Sequence, residues 1–222
     1  MKYLPAAFAL LATLGTALTL QAETYLRPGL AHFSFTNSHY EDETGGSLAV
    51  GTTLGTGGNH QLEFEADLVA WKAEWLPIAD SAGGPPILLP GGTTTTGDGH
   101  LLPLLLGYRY RTGTADSVWR FYAGANLGAT RVTGDLLSLQ ALPPPYGTRS
   151  ASVSSWRATA GVAVGVEFRL APHFRIDLGY RFRAVDGPTV TLRVPTVPTS
   201  SSTQDMGSLS TSVVTAGCTW SF

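Results

Sequence analysis

The chain contains 222 residues and has a formal net charge of −2, from 14 basic and 16 acidic side chains. This balance gives no reason to expect a nucleic-acid partner, which would call for a basic surface. Its one cysteine, Cys218, excludes an intrachain disulfide.

The N-terminus predicts export. Lys2 precedes an apolar run over residues 3–20, and small residues at the end of that run offer a cleavage site after Ala22. We therefore predict a signal peptide over residues 1–22 and one mature domain over residues 23–222. No later stretch is long and apolar enough for a membrane helix, so a place in a membrane would require a closed β-barrel.

The mature sequence alternates between apolar and polar residues with a period of two, as strands with one apolar face do. Short and long connections alternate between these segments, and the long ones are predicted at Asn37–Gly46, Lys72–Gly99, Thr133–Ser155 and Val185–Ser208. An even number of strands with this asymmetry predicts an all-β, eight-stranded antiparallel up-and-down transmembrane barrel with both termini on the periplasmic side. The predicted strands cover about 25–36, 47–54, 60–71, 100–111, 118–132, 156–170, 174–183 and 209–222.

The glycines indicate which face of these strands lies inside. Gly107, Gly124, Gly161 and Gly179 fall on the face that carries the charges, and an eight-stranded barrel has room for long charged side chains only beside very small ones. We therefore predict a polar lumen filled by side chains, and an apolar outer face. The predicted charge network of the lumen comprises Glu63, Glu65, Asp67, Arg109, Arg111, Arg120, Arg157, Glu167, Arg169, Asp177 and Arg181.

The first strand is predicted to turn its aromatic residues outward. This alternation puts Arg27 on the outer face, near a strand end from which its side chain would reach the interface. The same register puts His32 and Ser34 in the lumen, and it counts Tyr25 among the aromatic residues at the membrane boundary.

The last strand ends in Cys218-Thr219-Trp220-Ser221-Phe222, and the segments LLPLLLGYRYR, WRFYAGANLGA and FRIDLGYRFR precede it. With these segments the chain resembles the small outer-membrane β-barrel family of OmpA/OmpX-type and opacity-like porin-fold proteins. The resemblance implies the outer membrane of a Gram-negative cell, contact with its lipid, and assembly by the barrel-assembly machinery through Trp220 and Phe222. We expect a monomer without cofactor or metal.

Three functions are compatible with this pattern. The first, which we favour, is a structural or loop-mediated interaction role without catalysis, with an unknown ligand of the loops. The second is a lipid A-modifying hydrolase that uses His32 and Ser34, although the predicted register hides both from lipid and no acidic partner is evident. The third is a soluble periplasmic lipocalin-like carrier, which would need the apolar face inside.

Overall fold

The computed structural model describes residues 23–55, 57–75, 78–79, 87–88, 93–140, 148–194 and 197–222. The predicted signal peptide lies outside these residues. Within them the secondary structure is β only, and no helix is long and apolar enough to cross a membrane. The strands are β1 (Thr24–Phe35), β2 (Glu43–Leu54), β3 (His60–Trp75), β4 (Ile78–Ala79), β5 (Ile87–Leu88), β6 (Thr93–Arg111), β7 (Trp119–Gln140), β8 (Thr148–Ala171), β9 (Phe174–Val185), β10 (Thr189–Val194), β11 (Val197–Asp205) and β12 (Thr211–Ser221).

Eight of these strands form a closed antiparallel barrel, as predicted. Their order is β8-β7-β6-β3-β2-β1-β12-β9, and β9 also pairs with β8. The last strand, β12, joins β1 through pairs from Tyr25–Ser221 to Phe35–Thr211. Closure gives each of these eight strands a partner on both sides, which is how a barrel avoids exposed sheet edges.

The two ends of the barrel differ. We call the end where β2 connects to β3, β6 to β7 and β8 to β9 the turn end. The opposite end, where β1 connects to β2, β3 to β6, β7 to β8 and β9 to β12, is the loop end. Both β1 and β12 have their terminal residues at the turn end, where Phe222 donates its backbone N–H to the Thr24 carbonyl. At the loop end, β10 and β11 form a hairpin whose β10 also pairs with β8.

The predicted facing is confirmed for most of the wall. Leu106, Phe121 and Leu127 point outward and are 64%, 62% and 68% exposed, whereas Glu65, Asp177 and Arg181 point inward and are buried. A lipocalin-like carrier would need the reverse arrangement, so that hypothesis is wrong. The outer face is the surface that meets lipid in a transmembrane barrel.

The facing of β1 is corrected. Arg27 is 3% exposed and points into the lumen together with Tyr25, while His32 is on the outer face. The alternation along the strand is the one predicted, but its two faces are exchanged. The prediction was wrong because of Phe33. A large apolar residue in a barrel strand ordinarily indicates the lipid-facing side, but Phe33 packs inside the barrel.

Several strands extend farther than predicted at the loop end: β2 and β3 by four residues each, and β6, β7 and β8 by seven or eight. β6 begins at Thr93, β7 ends at Gln140 and β8 begins at Thr148, in segments predicted as loops. In these extensions the apolar residues Leu136 and Val153 face inward, as do Leu101 and Val132 at the adjoining ends of the predicted strands. Asp98 and Asp135 in the extensions face outward. In the extensions the apolar face is the inner one, whereas in the lipid-facing part it is the outer one. The pattern of outward apolar residues therefore ends before the strands do.

Candidate functional site

The lumen near the turn end contains a network of buried charges, which we call the charged half. Its centre is Arg27 on β1, whose Nη2 lies 3.0 Å from Glu63 and 3.6 Å from Glu65 on β3. The other terminal nitrogen of Arg27 lies 3.3 Å from Asp177 on β9. One arginine thereby connects three carboxylates from opposite walls. Such a network favours one packing of the barrel because each buried charge depends on its partners.

Further ion pairs extend the network around Arg27. Arg109 lies 2.6 Å from Glu63, 3.6 Å from Asp177, and 4.3 Å from the ring centre of Tyr122. The Tyr25 hydroxyl donates to Glu63 at 3.0 Å. The charged half therefore contains tyrosine rings as well as ion pairs, and both occupy the space of the lumen.

Toward the loop end, the network finishes on β9 and β3. Arg181 lies 2.8 Å from Glu65, and Arg183 pairs with both Glu65 and Asp67. The guanidinium of Arg183 also lies 5.8 Å from the ring centre of Phe33. Arg183 therefore marks the boundary between the charged half and the apolar packing above it.

At the turn end, arginines bind the turns themselves. Arg111 pairs with Glu167 at 3.1 Å and donates two hydrogen bonds to the carbonyl of Gly58. Arg120 donates to the same Gly58 carbonyl and to that of Thr112. These contacts satisfy turn carbonyls that would otherwise face into the lumen.

The predicted network is only partly brought together. Arg169 pairs instead with Asp116 on the exposed 112–118 turn, and Arg157 has no ion-pair partner within 4 Å among the described residues. Arg27, the central member, was predicted on the outer face and was therefore missing from the predicted network. A signal for Arg27 did exist: a charge on the lipid face costs about 2–4 kcal/mol near the bilayer midplane, so an inward position was the better assignment.

The lumen near the loop end is apolar, which the sequence did not predict. This apolar half packs Trp71 and Leu101 against Val132, Leu136 and Val213, all nearly or fully buried. Trp71 is 0% exposed, and its indole N–H donates to the Thr133 carbonyl at 3.1 Å. The packing fills the barrel between β3, β6, β7 and β12.

Glycines give the Trp71 ring its space. A Cβ added at Gly134 would lie 2.5 Å from the ring, and one added at Gly97 would lie 3.1 Å from it. In the charged half, a Cβ added at Gly165 or Gly179 would overlap the phenol of Tyr122. Aromatic rings as well as arginines therefore occupy the space that the glycines leave.

The connection between β1 and β2 covers the apolar half. Tyr40 donates its hydroxyl to the Met206 carbonyl at 2.7 Å and stacks on Phe35 with ring centres 5.2 Å apart. Its ring also contacts Trp71 and Trp75 edge-on. Burial, together with the charge of Asp205, raises the pKa of Tyr40 well above its usual value. The neutral phenol is the form that fits this position.

A comparison with known protein families identifies the family of this chain. Residues 6–222 match the outer membrane protein beta-barrel domain. The chain belongs to the outer-membrane β-barrel family. None of the curated proteins matches the sequence.

Solved structures of outer-membrane proteins share this fold. A major outer membrane protein from Thermus thermophilus is 12% identical, with a TM-score of 0.57, over 91% of this chain and 100% of that one. The outer membrane protein OprG from Pseudomonas aeruginosa is 12% identical, with a TM-score of 0.54, over 90% and 96%. Neisserial surface protein A is 16% identical, with a TM-score of 0.48, over 90% and 99%. At these identities the likeness concerns the fold alone.

His32 and Ser34 lie on the outer face of this outer-membrane barrel, just beyond the lipid-facing Leu30. The Ser34 hydroxyl donates to Asp42 at 3.0 Å, and His32 Nδ1 lies 3.3 Å from the Thr44 hydroxyl. Within the described ranges no hydrogen bond joins Ser34 to His32, although nucleophilic catalysis depends on contact between nucleophile and base. The same part of the chain contains no group of three His, Cys, Asp or Glu side chains arranged to hold a metal ion.

Proposed function

We propose that this protein is an exported outer-membrane barrel with a structural or loop-mediated interaction role and no catalytic activity. The observation that carries the proposal is the filled lumen. Ion pairs occupy the charged half, and Trp71 with its neighbours occupies the apolar half. A solute would have to displace both to pass, so a role at the loop end fits better than permeation.

Lipid and the assembly machinery are the proposed partners of the outer wall. Trp220 and Phe222 point outward at the turn end, with ring centres 6.5 Å apart and planes within 18°. Exposed aromatic residues at this height suit a membrane boundary. They are also accessible to the assembly machinery, as the family resemblance implies, and we propose a monomeric barrel.

The loop end is the proposed contact surface. The extended parts of β6, β7 and β8 continue beyond the apolar band, and the β10–β11 hairpin adds to the same sheet. Asp98 and Asp135 are directly paired across β6 and β7 on its outer face, with Ser152 bonded to Asp135 at 2.6 Å. A polar surface on a rigid sheet is suited to binding outside the membrane.

A loop-exchange experiment tests this function. Cells that lack the protein would be complemented with the wild type or with a variant whose 76–92 and 141–147 connections are replaced by short Gly-Ser turns. We expect the variant to assemble and to restore resistance to detergent, but to lose adherence to surfaces or other cells. Equal adherence by both proteins would contradict a loop-mediated role. Failure of the wild type to restore either property would contradict both roles.

Lipid hydrolysis is the second candidate function, because the corrected facing of β1 puts His32 and Ser34 at the lipid boundary with Asp42 beside Ser34. Mass spectrometry of lipid A from cells expressing the wild type or Ser34→Ala separates the two candidates. The non-catalytic role predicts identical lipid A. Loss of an acyl chain with the wild type, but not with Ser34→Ala, would favour the hydrolase.

A further inference from the structure

The turn end of the lumen contains a pocket of about 100 Å³ between the charged half and the turns. Its walls come from strands on all sides of the barrel, so it opens along the barrel axis and not toward lipid. Arg111, Arg120 and Arg175 line it, together with the hydroxyls of Thr53 and Thr219. We propose that this pocket binds a small oxyanion of the phosphate or carboxylate class.

The charge of the pocket wall supports an anion. Arg111, Arg120 and Arg175 are 4%, 2% and 9% exposed, and the one fully buried carboxylate near them, Glu167, pairs with Arg111. Among the described residues, neither Arg120 nor Arg175 has a carboxylate within 4 Å. Buried guanidinium groups ordinarily have anionic partners, and a bound anion would supply the missing one.

The hydrogen bonds of these arginines leave donors for a ligand. Arg120 uses Nε and Nη2 on the carbonyls of Thr112 and Gly58, and Arg175 uses both terminal nitrogens on the carbonyls of Ser117 and Ala115. Arg120 Nη1 and Arg175 Nε have no such partner in this part of the structure. Each guanidinium is therefore held in place by the turns, which reduces the entropic cost of binding an anion.

Thr219 provides an independent observation. Its side chain is 4% exposed and lines the pocket, and its buried hydroxyl has no hydrogen-bond partner among the described residues. A buried hydroxyl without a partner costs free energy. An oxyanion in the pocket would accept a hydrogen bond from it.

Two carboxylates line the outer part of the pocket. Asp116 pairs with Arg169 at 2.9 Å, and Glu23 lies beside the first strand. Asp116 is largely exposed and Glu23 is partly exposed, so solvent weakens their repulsion of an anion more than it weakens the attraction of the buried arginines. The field inside the pocket remains positive.

The test is isothermal titration calorimetry. Inorganic phosphate is added to the refolded barrel at low ionic strength in an uncharged sugar detergent. We expect one bound phosphate per chain. Thr219→Val preserves the side-chain shape and should weaken binding about tenfold, since it removes a hydrogen bond to a charged group. Arg175→Gln should weaken it more, while Arg131→Gln on the outer wall should leave it unchanged.

Folding and the source of the anion are controlled separately. Gel mobility in SDS with and without boiling establishes that each variant is a folded barrel, and Thr219→Val is available if Arg175→Gln does not fold. Phosphate affinity is then compared in phosphatidylcholine vesicles with and without phosphatidylglycerol. Equal affinity supports a free anion as ligand, and weaker affinity with phosphatidylglycerol supports a lipid phosphate. No binding to the wild type, or wild-type affinity in both Thr219→Val and folded Arg175→Gln, would overturn the proposal.

Discussion

The two halves of the lumen fill the same barrel with opposite chemistry. In the charged half, arginines from β1, β6 and β9 pair with carboxylates of β3 and β9. In the apolar half, Trp71 and the aliphatic residues around it pack without charges. The outer face changes at the same boundary, from lipid-facing leucines to polar residues. Where the outer face of the barrel is apolar and meets lipid, the polar side chains of the strands point into the lumen. Where the outer face is polar, the apolar side chains point inward and form an ordinary apolar core.

The largest effect is expected from breaking the charged half. Glu65→Gln removes a carboxylate that pairs with Arg181 and Arg183 and leaves only Asp67 to balance them. Removing one partner of a buried ion pair costs about 3–5 kcal/mol. Urea unfolding of the barrel in phospholipid vesicles, followed by tryptophan fluorescence, measures this loss. Glu43→Gln is the control, because its pair with Lys72 is exposed and should contribute less than about 1 kcal/mol. Equal effects of the two substitutions would contradict a cooperative buried network.

A smaller effect is expected from a cavity in the apolar half. Leu136→Ala removes a side chain that is 1% exposed and should lower the free energy of unfolding by about 3 kcal/mol. The neighbouring Leu137 points outward, so Leu137→Ala should change it by only about 0.5 kcal/mol. The same unfolding assay compares them. If Leu137→Ala were the more damaging substitution, the facing of β7 at the loop end would be wrong.

The smallest effect concerns the residue that covers the apolar half. Tyr40→Phe removes the hydrogen bond to Met206 and should cost about 1 kcal/mol. Because folding raises the Tyr40 pKa, the folded state holds this proton more tightly than the unfolded state. The resulting stability is present below about pH 10 and is lost as the pH rises through the folded-state pKa.

The pH dependence gives a second readout for Tyr40. Between about pH 10 and 12, the unfolding free energy of the wild type should fall more steeply than that of Tyr40→Phe. Unfolding curves at several pH values in the same vesicles would measure the two slopes. Parallel slopes would mean that Tyr40 is not buried as described.

The sequence predicted the barrel, its strand count and the outward facing of its lipid-facing leucines, because each of these follows from alternation against lipid. It did not predict the apolar half. Alternation shows that a strand has an apolar and a polar face, but it does not show which face is inside. Apolar residues such as Leu101 and Val132 produce the same pattern whether they face lipid or a core. In β1 this ambiguity exchanged the faces of Arg27 and His32. Ion pairs between distant strands, such as Arg27 with Asp177, depend on closure and have no local signal.

Conductance across a planar lipid bilayer tests most directly whether the packed side chains of the two halves close the lumen. The wild type, inserted as a folded barrel, should show no persistent open-channel current. The double variant Trp71→Ala, Arg27→Ala, which removes one central side chain from each half, should show discrete current steps. A steady open current through the wild type, with the double variant unchanged, would contradict the closed lumen on which the proposed function rests.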